Sequence, residues 1–282
     1  MKQPPTVPGS GSGPGPGPGA VYIDGIALWC PAWPGWAQAA PALRGESVLP
    51  AEPPARRPSP AALAANERRR APDSVLLALE VAQAAVADSG HPAHTLASVF
   101  TSAFGDLPIV DALCRTLAED PLLLSPTRFH HSVHNAASGY WAIASGSHQS
   151  STALAAFDHS FAAGLMEAAA LCSADKQAVL LVAHDTEANG PLASVNTCRG
   201  LLGLALVLAP QPGPRSRWRM DWRLAAGAVH PPAALSAAAH ALRANAQASA
   251  LPLFAVLARA EPTAFGLPLG HSLRMELTLQ PC

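Results

Sequence analysis

Three histidines and two serines crowd into the run Arg128-Phe129-His130-His131-Ser132-Val133-His134-Asn135-Ala136-Ala137-Ser138-Gly139-Tyr140-Trp141. Imidazoles titrate near neutrality, move protons and ligate metals, and His130 and His134 would share a face if the run were helical. No carboxylate or cysteine completes a metal set, however, and Ser132-Val133-His134 reads as a strand or turn leading into a helix. The histidines are therefore expected to buttress a turn by hydrogen bonding to backbone, with no metal and no cofactor. His184-Asp185 offers two members of a hydrolytic triad, but the chain has no Gly-x-Ser-x-Gly elbow, and adjacent side chains diverge along a strand. Ser138 and Cys198 are the remaining candidate nucleophiles. Cys198 lies between Asn196-Thr197 and Arg199-Gly200, a context that permits a reactive thiol, although scattered cysteines more often fill core space.

The elements that must hold these groups follow from hydrophobic period. Residues 21–28 read as a buried strand, followed by a long irregular connection, rich in Pro and Trp, that runs through the basic stretch 50–70. A helix over 73–90 has Asp73 as its N-cap, Val75, Leu79, Ala82 and Val86 at helical spacing, and Gly90 as its closing glycine. Strands are predicted at 96–101, 152–157, 179–183 and 201–209, and helices at 109–117, at 138–145 and after Asp158, the last carrying Phe161, Leu165, Met166 and Ala169. The histidine run thus sits at a helix N-terminus. Apolar strands alternating with helices imply an α/β fold whose parallel or mixed sheet is covered on both faces. Beyond it, 218–224 reads as a strand, 231–246 as an alanine-rich helix and 272–279 as an alternating strand with Leu273, Met275, Leu277 and Leu279 on one face.

Composition narrows the function classes. With 282 residues, 49% of them hydrophobic, the chain is long enough for a sizeable core. A net charge of -1, 13% charged residues and only Lys2 and Lys176 as lysines leave no electrostatic footprint for nucleic acid. Arg56, Arg57, Arg68, Arg69 and Arg70 form a local basic cluster, read as a solvated loop or a contact for an acidic partner. The five cysteines are odd in number and lack a CxxC pair, which argues against disulfides and structural zinc and for a reducing cytoplasm. No apolar run approaches the roughly 20 residues of a bilayer span, so a soluble chain is expected. Residues 1–19, dominated by Pro, Gly and Ser, read as a disordered tail.

The turn has a chemical precedent. A condensing enzyme places a cysteine at a strand-to-helix turn, where the helix N-terminus lowers the thiol pKa and its amides stabilise an oxyanion. His134-Asn135-Ala136-Ala137-Ser138-Gly139 resembles the ketosynthase pattern Thr-Ala-Cys-Ala-Ser-Gly, which puts Ala136, incapable of acylation, at the nucleophile position. Residues 21–28 and 73–90 resemble the first strand and first helix of ketosynthases, and Val182-Ala183-His184-Asp185-Thr186-Glu187 falls where they have an Ala-Gly-Gly-x-Glu turn. With Ser125-Pro126-Thr127, Phe129, Ser132-Val133-His134-Asn135 and Gly164-Leu165-Met166-Glu167-Ala168, the chain resembles the stand-alone β-ketoacyl-synthase-like N-terminal domains, which include chain-length-factor-like subunits of aryl polyene clusters.

The resemblance implies a thiolase-like α/β fold of layered α-β-α type, equivalent to the N-terminal half of a ketosynthase, over 20–209, with a reduced C-terminal part over 210–282. It also implies what is missing. The two second-half histidines and the lysine of a complete ketosynthase have no counterpart, and His271, in Gly270-His271-Ser272, lacks the flanking glycines. The expected role is a non-catalytic chain-length factor that pairs with a full-length β-ketoacyl-ACP synthase and reaches acyl carrier protein through the complex. Its tunnel or interface would use Phe129, His134, Ala136, Tyr140, Trp141, Thr152 and Leu154. The strand around 152–157 would pair across the dimer axis, since an uncovered apolar edge is otherwise a liability. An acyltransferase or thioesterase with another nucleophile, or a homodimer that binds acyl groups or carrier protein, is the alternative.

Overall fold

The computed structural model describes residues 19–196, 198–227 and 234–282, so the expected tail 1–19 lies, except for Gly19, outside the described residues. In chain order the first elements are β1 (Gly19–Trp29), α1 (Trp36–Arg44), α2 (Ala65–Arg70), α3 (Asp73–Ser89), β2 (Ala97–Thr101), α4 (Leu107–Glu119), α5 (Pro126–Ser132) and α6 (Ala136–Ser145). They are followed by β3 (Ser151–Leu154), α7 (Ser160–Asp175), β4 (Val179–Asp185), α8 (Leu192–Val195), β5 (Leu202–Ala209) and β6 (Trp218–Ala226). The chain closes with α9 (Ala237–His240), α10 (Leu251–Arg259), β7 (Thr263–Pro268) and β8 (Leu273–Pro281).

The eight strands of the described residues form one sheet in the order β3-β2-β4-β5-β1-β6-β8-β7. β2 pairs in parallel with β3 and β4, whereas β5 runs antiparallel to both β4 and β1. The sheet is therefore mixed, and its central strands β4 and β5 are buried at every residue because helices cover both faces. Side chains alternate between two cores. Val99, Leu181, Leu204 and Leu206 point toward α1, α7 and α10, while Phe100, Leu180, Val182, Ala205 and Val207 point toward α3 and α6. Leu76, Leu77 and Leu79 of α3 are fully buried, each contributing roughly 1.5–3 kcal/mol of transfer free energy. α3 lies so close to β1 that a Cβ on Gly25 would stand 2.1 Å from the Ala85 carbonyl oxygen, which restricts that position to glycine.

Several local expectations need correction. Asp73 is the first residue of α3 and not its cap; Pro72 stands at the cap, and the Asp73 carboxylate takes an ion pair from Arg57 at 2.6 Å. The connection after β1 contains α1, which survives an internal Pro41 because Ala39, Ala42 and Leu43 are buried and the helix packs on α10. The strand expected over 152–157 stops at Leu154, and Phe157 already begins a short 3-10 turn that includes Asp158, so Asp158 does not cap α7. The alanine-rich helix over 231–246 lies partly outside the described residues; within them only α9 forms, and the real helix is α10, opened by Pro252. β7 has no counterpart among the strands expected from the sequence, whereas β8 has Met275, Leu277 and Leu279 buried and Leu273 exposed at its start.

Candidate functional site

The histidine run folds as helix, turn, helix. Ser125 caps α5 with its hydroxyl accepting from the Arg128 N–H, Pro126 opens it, and residues 133–135 turn into α6, whose first residue is Ala136. The turn is closed by the Ala136 N–H donating to the Val133 carbonyl at 3.0 Å. Ser132-Val133-His134 is thus not a strand, and Ala136 does not occupy the strand-to-helix turn that the ketosynthase pattern assigned to it. The reason is local: Pro126 presets the helical φ, and the capped segment behind it propagates as α5.

The histidines diverge. His131 is buried, and its Nε2 lies 2.8 Å from the Tyr140 hydroxyl; burial and the neighbouring His130 hold its pKa below the usual imidazole value. His134 is exposed, with Nε2 3.0 Å from the Ser102 carbonyl oxygen, a contact that requires the proton on Nε2. Together they tie α6 to α5 and to the end of β2. Among the described residues no group of three His, Cys, Asp or Glu side chains could hold a metal ion.

The outward face of α6 walls a cavity of about 440 Å³ lined by Leu63, His130, Val133, Ala136, Tyr140 and Ile143, among others. Its wall is largely apolar and small at Ala136 and Gly139, with Glu67, His130, Asn135 and Tyr140 as polar points. Burial, with a lesser contribution from Glu67, raises the Tyr140 pKa, so the phenol stays a neutral donor. Ile143, 85% exposed, continues this apolar surface outward, and Phe129 on α5 is 59% exposed. Trp141 turns the other way: it is 3% exposed and belongs to the core under α3. Thr152 and Leu154 are half-buried on β3, the terminal strand of the sheet. The N–H groups of Ser98 in β2 and of Ser102 just after it reach the Ser150 and Leu154 carbonyls, so 150, 152 and 154 turn their backbone groups to β2 while 151 and 153 turn theirs away.

Where β2 and β4 end, a polar network replaces the core. The Asp185 carboxylate accepts from the Ala103 and Phe104 N–H groups, the Ser102 hydroxyl and the Gln247 amide, at 2.6–3.2 Å. Burial pushes its pKa up, against the pull of these donors. Asn245 donates to the carbonyls of Asp185, Arg199 and Gly200. His184, its neighbour, faces the opposite side of the sheet, is 4% exposed, and is depressed to about pKa 3 by burial and then by His134. The pair therefore diverges and forms no triad.

Both remaining candidate nucleophiles are buried. Burial raises the Cys198 thiol to about 11, and its sulfur accepts the Ala246 N–H at 3.4 Å. Ser138 is buried and donates to the Asn135 carbonyl. His271 is exposed in the turn before β8. Within the basic cluster, Arg57 binds Asp73 and the Ala71 carbonyl, and Arg68 binds the Pro60 and Leu63 carbonyls, so two of its members brace their own loop. The roles of Asn245 and Gln247 had no signal in the sequence, because their partners lie dozens of residues away.

No curated protein matches the chain. Solved structures do. A chain of the ketosynthase ApeO in complex with its chain length factor ApeC from Xenorhabdus doucetiae is 21% identical, covers 92% of this chain and 99% of its own, and superposes with a TM-score of 0.69. The ishigamide ketosynthase/chain length factor gives 14% identity, coverage of 93% and 99%, and a TM-score of 0.69. A β-ketoacyl synthase from Burkholderia phymatum STM815 gives 11%, 94% and 100%, and 0.64. These likenesses establish the thiolase-like fold. The family model of the β-ketoacyl synthase N-terminal domain matches residues 33–266, and the chain belongs to that family.

Proposed function

We propose that this protein is a non-catalytic β-ketoacyl-synthase-like subunit, a chain-length factor that pairs with a full-length ketosynthase and shapes the tunnel for its growing acyl chain. The setting would be aryl polyene, fatty-acid or polyketide-type biosynthesis in the cytoplasm, with acyl carrier protein met through the complex. The observation that carries the reading is the combination at one end of the sheet. β3 is an edge strand with no charged residue, and the helix before it exposes Ile143 beside an apolar cavity. An uncovered edge of this kind is a template for pairing. The partner would supply cysteine and histidines, while Phe129, His134, Ala136 and Tyr140 would contribute tunnel floor or interface, with Thr152 and Leu154 at the seam.

Ala153→Pro tests this without disturbing the fold of the chain. The Ala153 N–H points away from β2, so a proline there removes no hydrogen bond of this sheet but blocks a strand added to the edge. The variant is expected to keep its thermal midpoint and to lose co-purification with a co-expressed neighbouring ketosynthase. Co-purification at the wild-type level, or products of unchanged length when this subunit is withheld, would overturn the reading.

A further inference from the structure

A strained strand-to-helix turn is the geometry by which unrelated folds present a nucleophile. Ala136 has no such turn before it, but the chain does contain one. Among the described residues, the non-glycine residues at positive φ are Phe157 (49°), Lys176 (54°) and Ala260 (57°). Lys176 and Ala260 end α7 and α10, a routine place for a left-handed residue. Phe157 does the reverse: it is the third residue after β3 and begins the helical segment that becomes α7.

The turn is built, not loose. The Ser160 hydroxyl accepts the Ala156 N–H at 2.9 Å and donates to the Phe157 carbonyl at 2.7 Å, and the Thr101 hydroxyl donates to the Ser160 carbonyl at 2.9 Å. α7 is pressed onto β2, since a Cβ on Gly164 would lie 2.8 Å from the Thr101 methyl. The Phe157 ring is 71% exposed and leans edge-on against Phe104, with ring centroids 6.3 Å apart. Phe104 and Asp158 in turn wall a separate cavity of about 240 Å³ whose other side includes Asn245, Ser249 and Cys198.

We propose that Phe157, and not Ala136, stands at the position from which a nucleophile would act, and that its ring on Phe104 takes the space an acyl group would need there. The inference rests on the chain-length-factor reading and adds to it the residue that closes this chain to acylation. A thiol at 157 would project from the 3-10 turn that leads into the 16-residue α7, beside a cavity, where the helix dipole lowers its pKa.

The test uses Phe157→Cys and Ala136→Cys in the full chain with p-nitrophenyl hexanoate. After the thiol proton passes to solvent, the thiolate attacks the ester carbonyl, the sulfur–acyl bond forms, the carbon–oxygen bond breaks and p-nitrophenolate leaves. Peptide mapping by mass then assigns the thioester, with the exposed Cys114 and Cys282 as internal references. Acylation of Phe157→Cys is expected to be about tenfold faster at pH 7 than that of Ala136→Cys or Cys114. Equal rates, or faster acylation of Ala136→Cys, would overturn the proposal. Phe157→Gly, which adopts positive φ without strain, is expected to match or exceed the wild-type thermal midpoint; a clear fall would show the ring to be structural support and would also overturn it. Both measurements use the chain without a partner, so their failure leaves the pairing test of Ala153→Pro standing, and loss of the pairing reading leaves the thiol result intact.

Discussion

Acid should weaken this protein through His184. The imidazole is buried on the face of β4 turned toward α3 and α6, its Nδ1 has no hydrogen-bond partner among the described residues, and its pKa falls to about 3 from an ordinary value near 6.5. Between those values the unfolded chain binds a proton that the folded chain refuses. Stability is therefore full above about pH 6.5 and declines as pH falls toward 3. At pH 5 the unfolded imidazole is almost fully protonated, and the linkage amounts to about 2 kcal/mol. Denaturant unfolding of the wild type and of His184→Leu at pH 7.5, 6.5, 5.5 and 5 isolates this group. His131 shares the sign of His184, whereas Asp185, raised by burial, has the opposite sign, and both cancel in the difference. The wild-type midpoint is expected to fall more steeply with acid, so that His184→Leu gains about 2 kcal/mol on it between pH 7.5 and 5. Parallel curves over that range would refute the buried, uncharged imidazole.

Removing the hub at the end of β4 should be costly: Asp185→Ala strands the buried donors of Ser102, Ala103, Phe104 and Gln247, and a loss of about 3–5 kcal/mol is expected in urea unfolding, with Asp185→Asn losing less. Alkylation should follow burial: iodoacetamide at pH 7.5 is expected to label Cys114 and Cys282 and to spare Cys30, Cys172 and Cys198 until denaturant is added, as peptide mapping would read.

The sequence carried those elements whose pattern is set by one local period. β1, α3 and β8 were legible because Val21 and Ile23, the helical row from Val75 to Val86, and the alternation of Met275, Leu277 and Leu279 each bury a continuous face. α1 and α10 were not, because Pro41 and Pro252 read as breakers; yet Pro252 lies in the first turn, where its missing N–H costs nothing, and both helices are held by packing on each other. The stretch over 231–246 misled in the other direction: alanine favours helix but offers little surface to bury, and the described part folds mostly as turns around α9. At the site, Tyr140 on the cavity wall followed from its place on α6, whereas the Asp185–Gln247 bond joins residues 62 apart and leaves no local trace.

The two turns also explain why the motif misled. In Ala136-Ala137-Ser138-Gly139, which has the small residues of a nucleophile turn, Ala137 and Ser138 are small because they are buried where α6 packs, whereas Ala136 and Gly139 face the cavity. At Phe157 the composition is wrong and the backbone is right. An aromatic residue at φ 49° would relax if its surroundings allowed it, so the strain persists because Ser160, Thr101 and the close approach of Gly164 over-determine the start of α7. Those contacts serve the core between β2 and α7, which the fold needs whether or not a nucleophile stands at the turn. The shape of the site can therefore outlast its chemistry, and backbone conformation identifies the position better than residue type.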